Sequence, residues 1–242
     1  MKQRFYIIVL LLLSVKTIDA QVEDFVTWWN FTVKGEISKK LNYSFEPELR
    51  FFENSSQLSS WQSEFSLDYE VIKNLNIGGL YRYTVDYRTP DFNRRRNRFS
   101  LFFKYEVKTG HFRWQYRGIW QNDFTNVNTS VDGKTDFMAH RHKFAVKFKD
   151  KDWPVDPSFG VEYISALAPS KDLGEWKRRW FINVEREINK RLSAKISYKR
   201  QNEFEVSNPD LTNILLVGLE YEPKFLKRKK KKNKNKNEAA TE

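Results

Sequence analysis

The chain has 242 residues and a formal net charge of +12; 40% of its residues are hydrophobic, 16% aromatic and 31% charged, and none is cysteine. The missing cysteine excludes disulfide scaffolds, thiolate metal sites and cysteine nucleophiles, and a mean hydropathy of −0.72 excludes a bundle of membrane-spanning helices. The aromatic content is too high for a mostly disordered chain, which leaves one folded unit with room for a core or for a single barrel.

Residues 1–20 read as a signal peptide. Lys2 and Arg4 form a short positive region, Phe5 to Val15 is almost wholly apolar, and Ala20 is a small residue just before Gln21. That order is the order of a secretory signal, and the apolar run is too short to span a bilayer as a helix. Residues 21–223 are then expected to form the folded body.

Within that body the hydrophobic period is two. A weaker version of the alternation comes first, at about 25–34. In 40–52, Leu41, Tyr43, Phe45, Pro47, Leu49 and Phe51 fall on one face, and Asn42, Ser44, Glu46, Glu48 and Arg50 on the other. No helical period fits such alternation; it describes a strand with one apolar and one polar face. The same pattern recurs at 61–69, 75–87, 97–107 and 112–121, and more weakly at 138–148, 157–165, 176–188, 192–203 and 211–221. Residues 224–242 break it. They carry nine basic and two acidic residues, cannot bury a core, and are expected to be a solvated Lys-rich tail. Without signal and tail the body retains a charge of only +3, so no nucleic-acid partner is expected; the tail suits anionic envelope polymers or lipid head groups.

About eleven strands and no convincing helix predict an all-β, antiparallel, outer-membrane-type barrel of about 10–12 strands. The strands approach the 9–11 residues that cross a bilayer at a tilt. Their connections alternate: tight ones at 36–41, 70–75, 108–110 and 187–192, and longer polar ones at 53–60, 88–96, 122–137, 166–175 and 204–210. Short turns on one side and longer loops on the other mark the periplasmic and external ends of such barrels. Two features conflict with this reading. Bacterial single-chain barrels normally have an even strand number, and the first strand would enter from the long-loop end. Either a strand is missed or segment 25–34 is not an ordinary wall strand.

Several short stretches carry a resemblance. Trp28-Trp29, the strand ending in Arg50, Gly79-Leu80-Tyr81-Arg82-Tyr83, Arg141-His142-Lys143 with Pro157, Gly160-Val161-Glu162-Tyr163, Arg178-Arg179-Trp180 and Ser197-Tyr198 together resemble a family of exported Bacteroidetes-type proteins, domain of unknown function 2490, over residues 21–222. The resemblance implies an outer-membrane barrel and no particular activity; the tail is not part of its pattern.

Chemistry is sparse. Histidine occurs three times, at His111, His140 and His142. His140 and His142 share a strand face with Phe144, Val146 and Phe148; a place at the rim of the lipid face fits them better than a metal site, for which acidic ligands are lacking nearby. No serine sits in a nucleophile elbow, and no cofactor or metal is expected. The polar face is more informative. Glu46, Glu48, Glu64, Asp68 and Asp86 come from the early strands. Arg98, Lys104, Arg113, Arg117, Arg141, Lys143, Lys177, Arg179, Lys195 and Lys199 come from the later ones. Glu46, Glu48, Glu64, Asp68, Arg98, Arg113, Arg117, Arg141 and Lys143 are the expected lumen charge network, either a plug of ion pairs or a basic pore wall. Arg88, Arg94, Arg95 and Arg96 form a candidate anion-binding cluster at the external rim, suited to lipopolysaccharide phosphates. The expected role is a non-enzymatic outer-membrane barrel, structural, binding or narrow-pore, reached by Sec-type export and surrounded by outer-membrane lipid. The alternatives are a lipid-modifying barrel enzyme with a Ser-His site and a soluble secreted β-rich binding module with a polyanion-binding tail.

Overall fold

The computed structural model describes residues 23–87, 94–124, 137–150, 152–167, 176–204 and 209–223. The expected signal peptide and Lys-rich tail lie outside them. The described residues form eleven strands: β1 (Glu23–Glu36), β2 (Leu41–Phe52), β3 (Gln57–Ile72), β4 (Leu75–Asp86), β5 (Arg94–Thr109), β6 (Phe112–Phe124), β7 (Phe137–Phe148), β8 (Asp156–Ala166), β9 (Trp176–Glu187), β10 (Leu192–Phe204) and β11 (Leu211–Tyr221). Each pairs with its sequence neighbours, and β1 pairs with β11, so the sheet closes into a barrel with no free edge.

The closure answers the strand-count conflict. Ten reversals of direction leave β11 running the same way as β1, so the two must join in parallel, with Glu23 opposite Leu211 and Val33 opposite Tyr221. All other pairs are antiparallel. Segment 25–34 is thus a full wall strand, and no strand is missing from an odd-numbered ring. The chain enters at one end of the barrel, where Asp24 accepts hydrogen bonds from the backbone N–H groups of Glu53 (3.3 Å) and Asn54 (3.0 Å). It leaves at the other, where the N–H of Glu222 donates to the carbonyl of Arg191 (2.8 Å).

The hairpins at 73–74 and 110–111 each turn on one left-handed residue, Asn74 at φ 73° and Gly110 at φ 59°. The long connection expected at 53–60 is short, because β3 already starts at Gln57. Glu53, Asn54 and Ser55 are all left-handed there (φ 51°, 53° and 65°), a conformation disfavoured for side chains with a Cβ, and the Asp24 carboxylate stabilises it by taking two of its N–H groups. On the side of the tight turns, more residues separate β7 from β8 than separate the other strand pairs joined there.

The two faces of the wall differ in kind. Trp29, Phe45, Phe65, Leu101, Trp114, Phe144 and Ile196 are exposed on the outside, Leu101 to 63%. Among the described residues, buried polar or charged side chains outnumber buried apolar ones, with Glu48, Gln62, Asp123 and Glu162 all under 9% exposed. A water-soluble protein has the opposite distribution. The apolar cluster inside is small: Val26, Trp28, Ile214 and Leu216, with Phe52 packed against it.

Candidate functional site in the barrel interior

Strand alternation points every second side chain inward, and direct cross-strand neighbours pair. Arg82 faces Glu64 and donates to it through Nε (2.8 Å) and Nη2. Arg98 faces Asp123 and grips both its oxygens, at 2.7 and 2.6 Å. Glu162 lies opposite both Lys143 and Arg179. One of its oxygens accepts from Arg141 at 3.0 and 2.5 Å, the other from Arg179 at 2.7 Å. Glu48 accepts from Arg50 (2.7 Å) and Gln62 (2.6 Å). Charge-assisted, forked contacts of this kind are the strong class of hydrogen bond.

The remaining members of the expected network are less tightly paired, Asp68 and Arg113 lying nearer the end with the tight turns. Glu46 accepts from the Thr32 hydroxyl (2.8 Å), and Asp68 accepts from Asn42 (3.0 Å) and Asn76 (2.7 Å). Arg113 lies 3.4 Å from Glu106. Arg117 and Lys143 point inward with no carboxylate in contact. The division into acidic early strands and basic later ones does not hold: Asp123, Glu162 and Glu185, on β6, β8 and β9, also face inward. Asp123 escaped the sequence reading because β6 runs on to Phe124 where a loop was expected. Glu162 sits in a weakly alternating segment, yet its parity with Ser158 and Gly160 was available.

Three aromatic rings line the interior and carry cations on their faces. The Arg50 guanidinium lies 3.7 Å and the Lys199 ammonium 4.6 Å from the Trp28 ring, with Arg179 at 5.6 Å. Arg117 lies 4.1 Å from Phe102, and Lys143 lies 4.6 Å from Phe181. Phe102 and Phe181 each stand opposite a glycine, Gly78 and Gly160. A Cβ at either glycine would collide with the ring and with a neighbouring carbonyl, so the missing side chains make the room the rings occupy.

Three cavities follow the interior. One of about 860 Å³ opens beside the 53–56 turn, a central one has about 460 Å³, and one of about 380 Å³ lies toward the tight turns. The central cavity shares Trp28, Arg50, Arg96 and Gln201 with the first and Arg117 with the last.

The candidate rim cluster is divided. Arg88 and the side chain of Arg94 lie outside the described residues. The pairing of β4 with β5 continues to Asp86 and Arg94, so Arg94–Arg96 belong to a strand and not, as expected, to a loop. Alternation therefore separates Arg95, which is exposed, from Arg96, whose Nη2 lies 3.4 Å from Asp86 inside the mouth. His140 and His142 are on the outer face, where the Tyr116 hydroxyl and His142 Nδ1 are 2.8 Å apart. Ser165 is the register partner of His140, but among the described residues no hydrogen bond joins them and no carboxylate orients the imidazole, as nucleophilic catalysis needs. His111 sits in the 110–111 turn, 3.3 Å from Asp150.

No curated protein matches the chain. One solved structure, described as "Unveiling the Mechanism Behind the in-meso Crystallization of Membrane Proteins", is 12% identical with a TM-score of 0.38, covering 78% of this chain and 73% of that one; a likeness at that level carries no argument here. The profile of the family described as "Protein of unknown function (DUF2490)" matches residues 25–212, so most of the barrel wall falls within it and the chain belongs to that family.

Proposed function

We propose that the protein is an integral outer-membrane β-barrel with a non-enzymatic role, binding or structural, centred on its charged interior. The observation that carries this reading is the inverted wall: apolar and aromatic side chains outside, ion pairs inside, in a sheet without edges. Lipid satisfies the first face, and closure satisfies every backbone group that lipid cannot. The length fits as well. Even the shortest strands, of eleven residues, extend ~36 Å at ~3.3 Å per residue and cover ~28 Å when tilted by ~40°, enough for an apolar band of ~25 Å. A soluble binding module of the same sequence would expose that band to water and shut its charges away from it.

The absence of native cysteine makes a direct test clean. Single cysteines at Leu101, Phe103 and Val217 should react with a lipid-dissolved probe and stay silent to a water-soluble one, while Lys104 and Gln201, which line interior cavities, should show the reverse. Envelope fractionation should recover the unboiled protein in the outer membrane with heat-modifiable gel mobility. Recovery in the soluble fraction without detergent would overturn the proposal.

A further inference from the structure

The central cavity is lined by eleven basic side chains and four acidic ones. Three of the acids are committed elsewhere, and the fourth, Glu46, accepts from the Thr32 hydroxyl. Both oxygens of Glu162 and of Asp123 are taken by arginines, and Glu48 is held by Arg50 and Gln62. Glu64, just behind the lining, is taken by Arg82. Lys195 faces Glu185 across β9 and β10, but that carboxylate accepts from Lys147 at 2.8 Å. Arg117, Lys143, Lys195 and Lys199 are consequently left, among the described residues, with no carboxylate in contact.

Their placement increases the imbalance. Arg117 and Lys143 are direct cross-strand neighbours on β6 and β7, an arrangement that is unfavourable for like charges. Arg117 Nε is buried without an acceptor. Between Lys195 and Lys199, on the same inner face, the Ser197 hydroxyl is also buried without a partner. The rings of Phe102, Phe181 and Trp28 attract the cations but provide no strong acceptor. Buried donors are ordinarily satisfied; here the unpartnered Arg117 Nε and the Lys143, Lys195 and Lys199 side chains line one chamber of ligand-binding size.

We propose that this chamber binds a small oxyanion of the phosphate class, inorganic phosphate or a phosphomonoester, with Arg117, Lys143, Lys195 and Lys199 as its ligands. A doubly charged oxyanion supplies the missing acceptors and offsets the repulsion among the four cations. The ring faces leave space for a small organic group on the ester. Entry is from the wider mouth, which shares Trp28 and Arg50 with the chamber. The inference deepens the barrel reading by naming the ligand of its interior.

The test uses the full mature chain in detergent, titrated with inorganic phosphate and with glycerol 3-phosphate at constant ionic strength, followed by calorimetry and by unfolding temperature. Saturable binding is expected, with a rise in unfolding temperature that chloride does not reproduce. Lys143→Gln with Lys199→Gln should weaken it at least tenfold, and Lys39→Gln in an exposed turn should leave it unchanged. Without phosphate the double variant should unfold no earlier than the parent, because it loses mutual repulsion and no carboxylate partner, only the ring contacts with Phe181 and Trp28. Absence of saturable binding by protein with heat-modifiable mobility, or undiminished binding by the double variant, overturns the proposal while leaving the membrane barrel intact. Phosphate binding by protein recovered from the soluble fraction would do the opposite.

Discussion

The seam where the barrel closes and the wall from β3 to β9 solve the same problem by different means. At the seam β1 and β11 meet in parallel, from opposite ends of the folded body, with no turn to set their register. Part of their inner face is apolar: Val26 pairs with Ile214 and Trp28 with Leu216. From β3 to β9 each strand is tied to the next by a hairpin or loop, and the inner face is ionic: Glu64–Arg82, Arg98–Asp123, and Glu162 between Arg141 and Arg179. The difference teaches that interior chemistry follows what the register still needs. A slip of one residue at the seam would turn the Val26–Ile214 and Trp28–Leu216 pairs outward and bring Trp29, Leu215 and Val217 in. Along the hairpins the turns limit slippage, and the ion pairs then choose among few alternatives.

The largest effect should come from breaking the ionic wall at its hub. Glu162→Gln removes the charge that two buried arginines share and should cost about 3–5 kcal/mol, the usual penalty for orphaning a buried ion; urea unfolding of the detergent-solubilised barrel measures it. If the cost is under 1 kcal/mol, the ionic wall is solvated and the comparison fails. Next, Ile214→Ala empties a site only 1% exposed and should cost about 2–5 kcal/mol. Cross-linking between cysteines at Thr27 and Leu215, register partners on the outer face, should at the same time become less specific, whereas a β4–β5 pair should not change.

A third substitution asks whether both walls share one outer environment. Leu101→Arg should cost about 2–4 kcal/mol near a bilayer midplane, read from the yield of heat-modifiable protein refolded into lipid vesicles. The smallest effect concerns the connection at 149–155. Hydrogen bonding to Glu187, and then to Asp156, holds the Lys149 ammonium above the ordinary lysine pKa of 10.5. Its folded pKa is raised, so its contribution is complete below the unfolded value and fades as pH rises through the folded one. The group is largely exposed, which limits the contribution to well under about 1 kcal/mol. Lys149→Ala should therefore produce a small loss at pH 8 that shrinks as the pH rises above the ordinary lysine value, by thermal unfolding.

Strict alternation in residues 40–52 and 97–107 made the strands and their faces legible, because a residue's face depends only on its parity along its own strand. The inward direction of Glu48, Glu64, Arg98 and Arg141 could be read in the same way. Their partners could not. Glu162 has two direct cross-strand neighbours, Lys143 and Arg179, yet its carboxylate takes Arg179 and the diagonal Arg141 and leaves Lys143 alone. That choice depends on side-chain reach and competition between neighbouring strands, which no single-strand pattern contains. The rim cluster is split for a related reason: Arg95 and Arg96, adjacent in sequence, look like one patch until β-pairing sends their side chains to opposite faces.

By itself, then, the sequence determined the all-β class, the eleven segments and which side chains share a face, because these are local consequences of a period of two. Only the tertiary structure decided that the ring closes through a parallel β1–β11 pair, that most interior acids are taken by particular arginines, and that Arg117, Lys143, Lys195 and Lys199 line one chamber with no carboxylate in contact. These depend on contacts between residues far apart in the chain, and closure brings such residues together only after every local preference has been met.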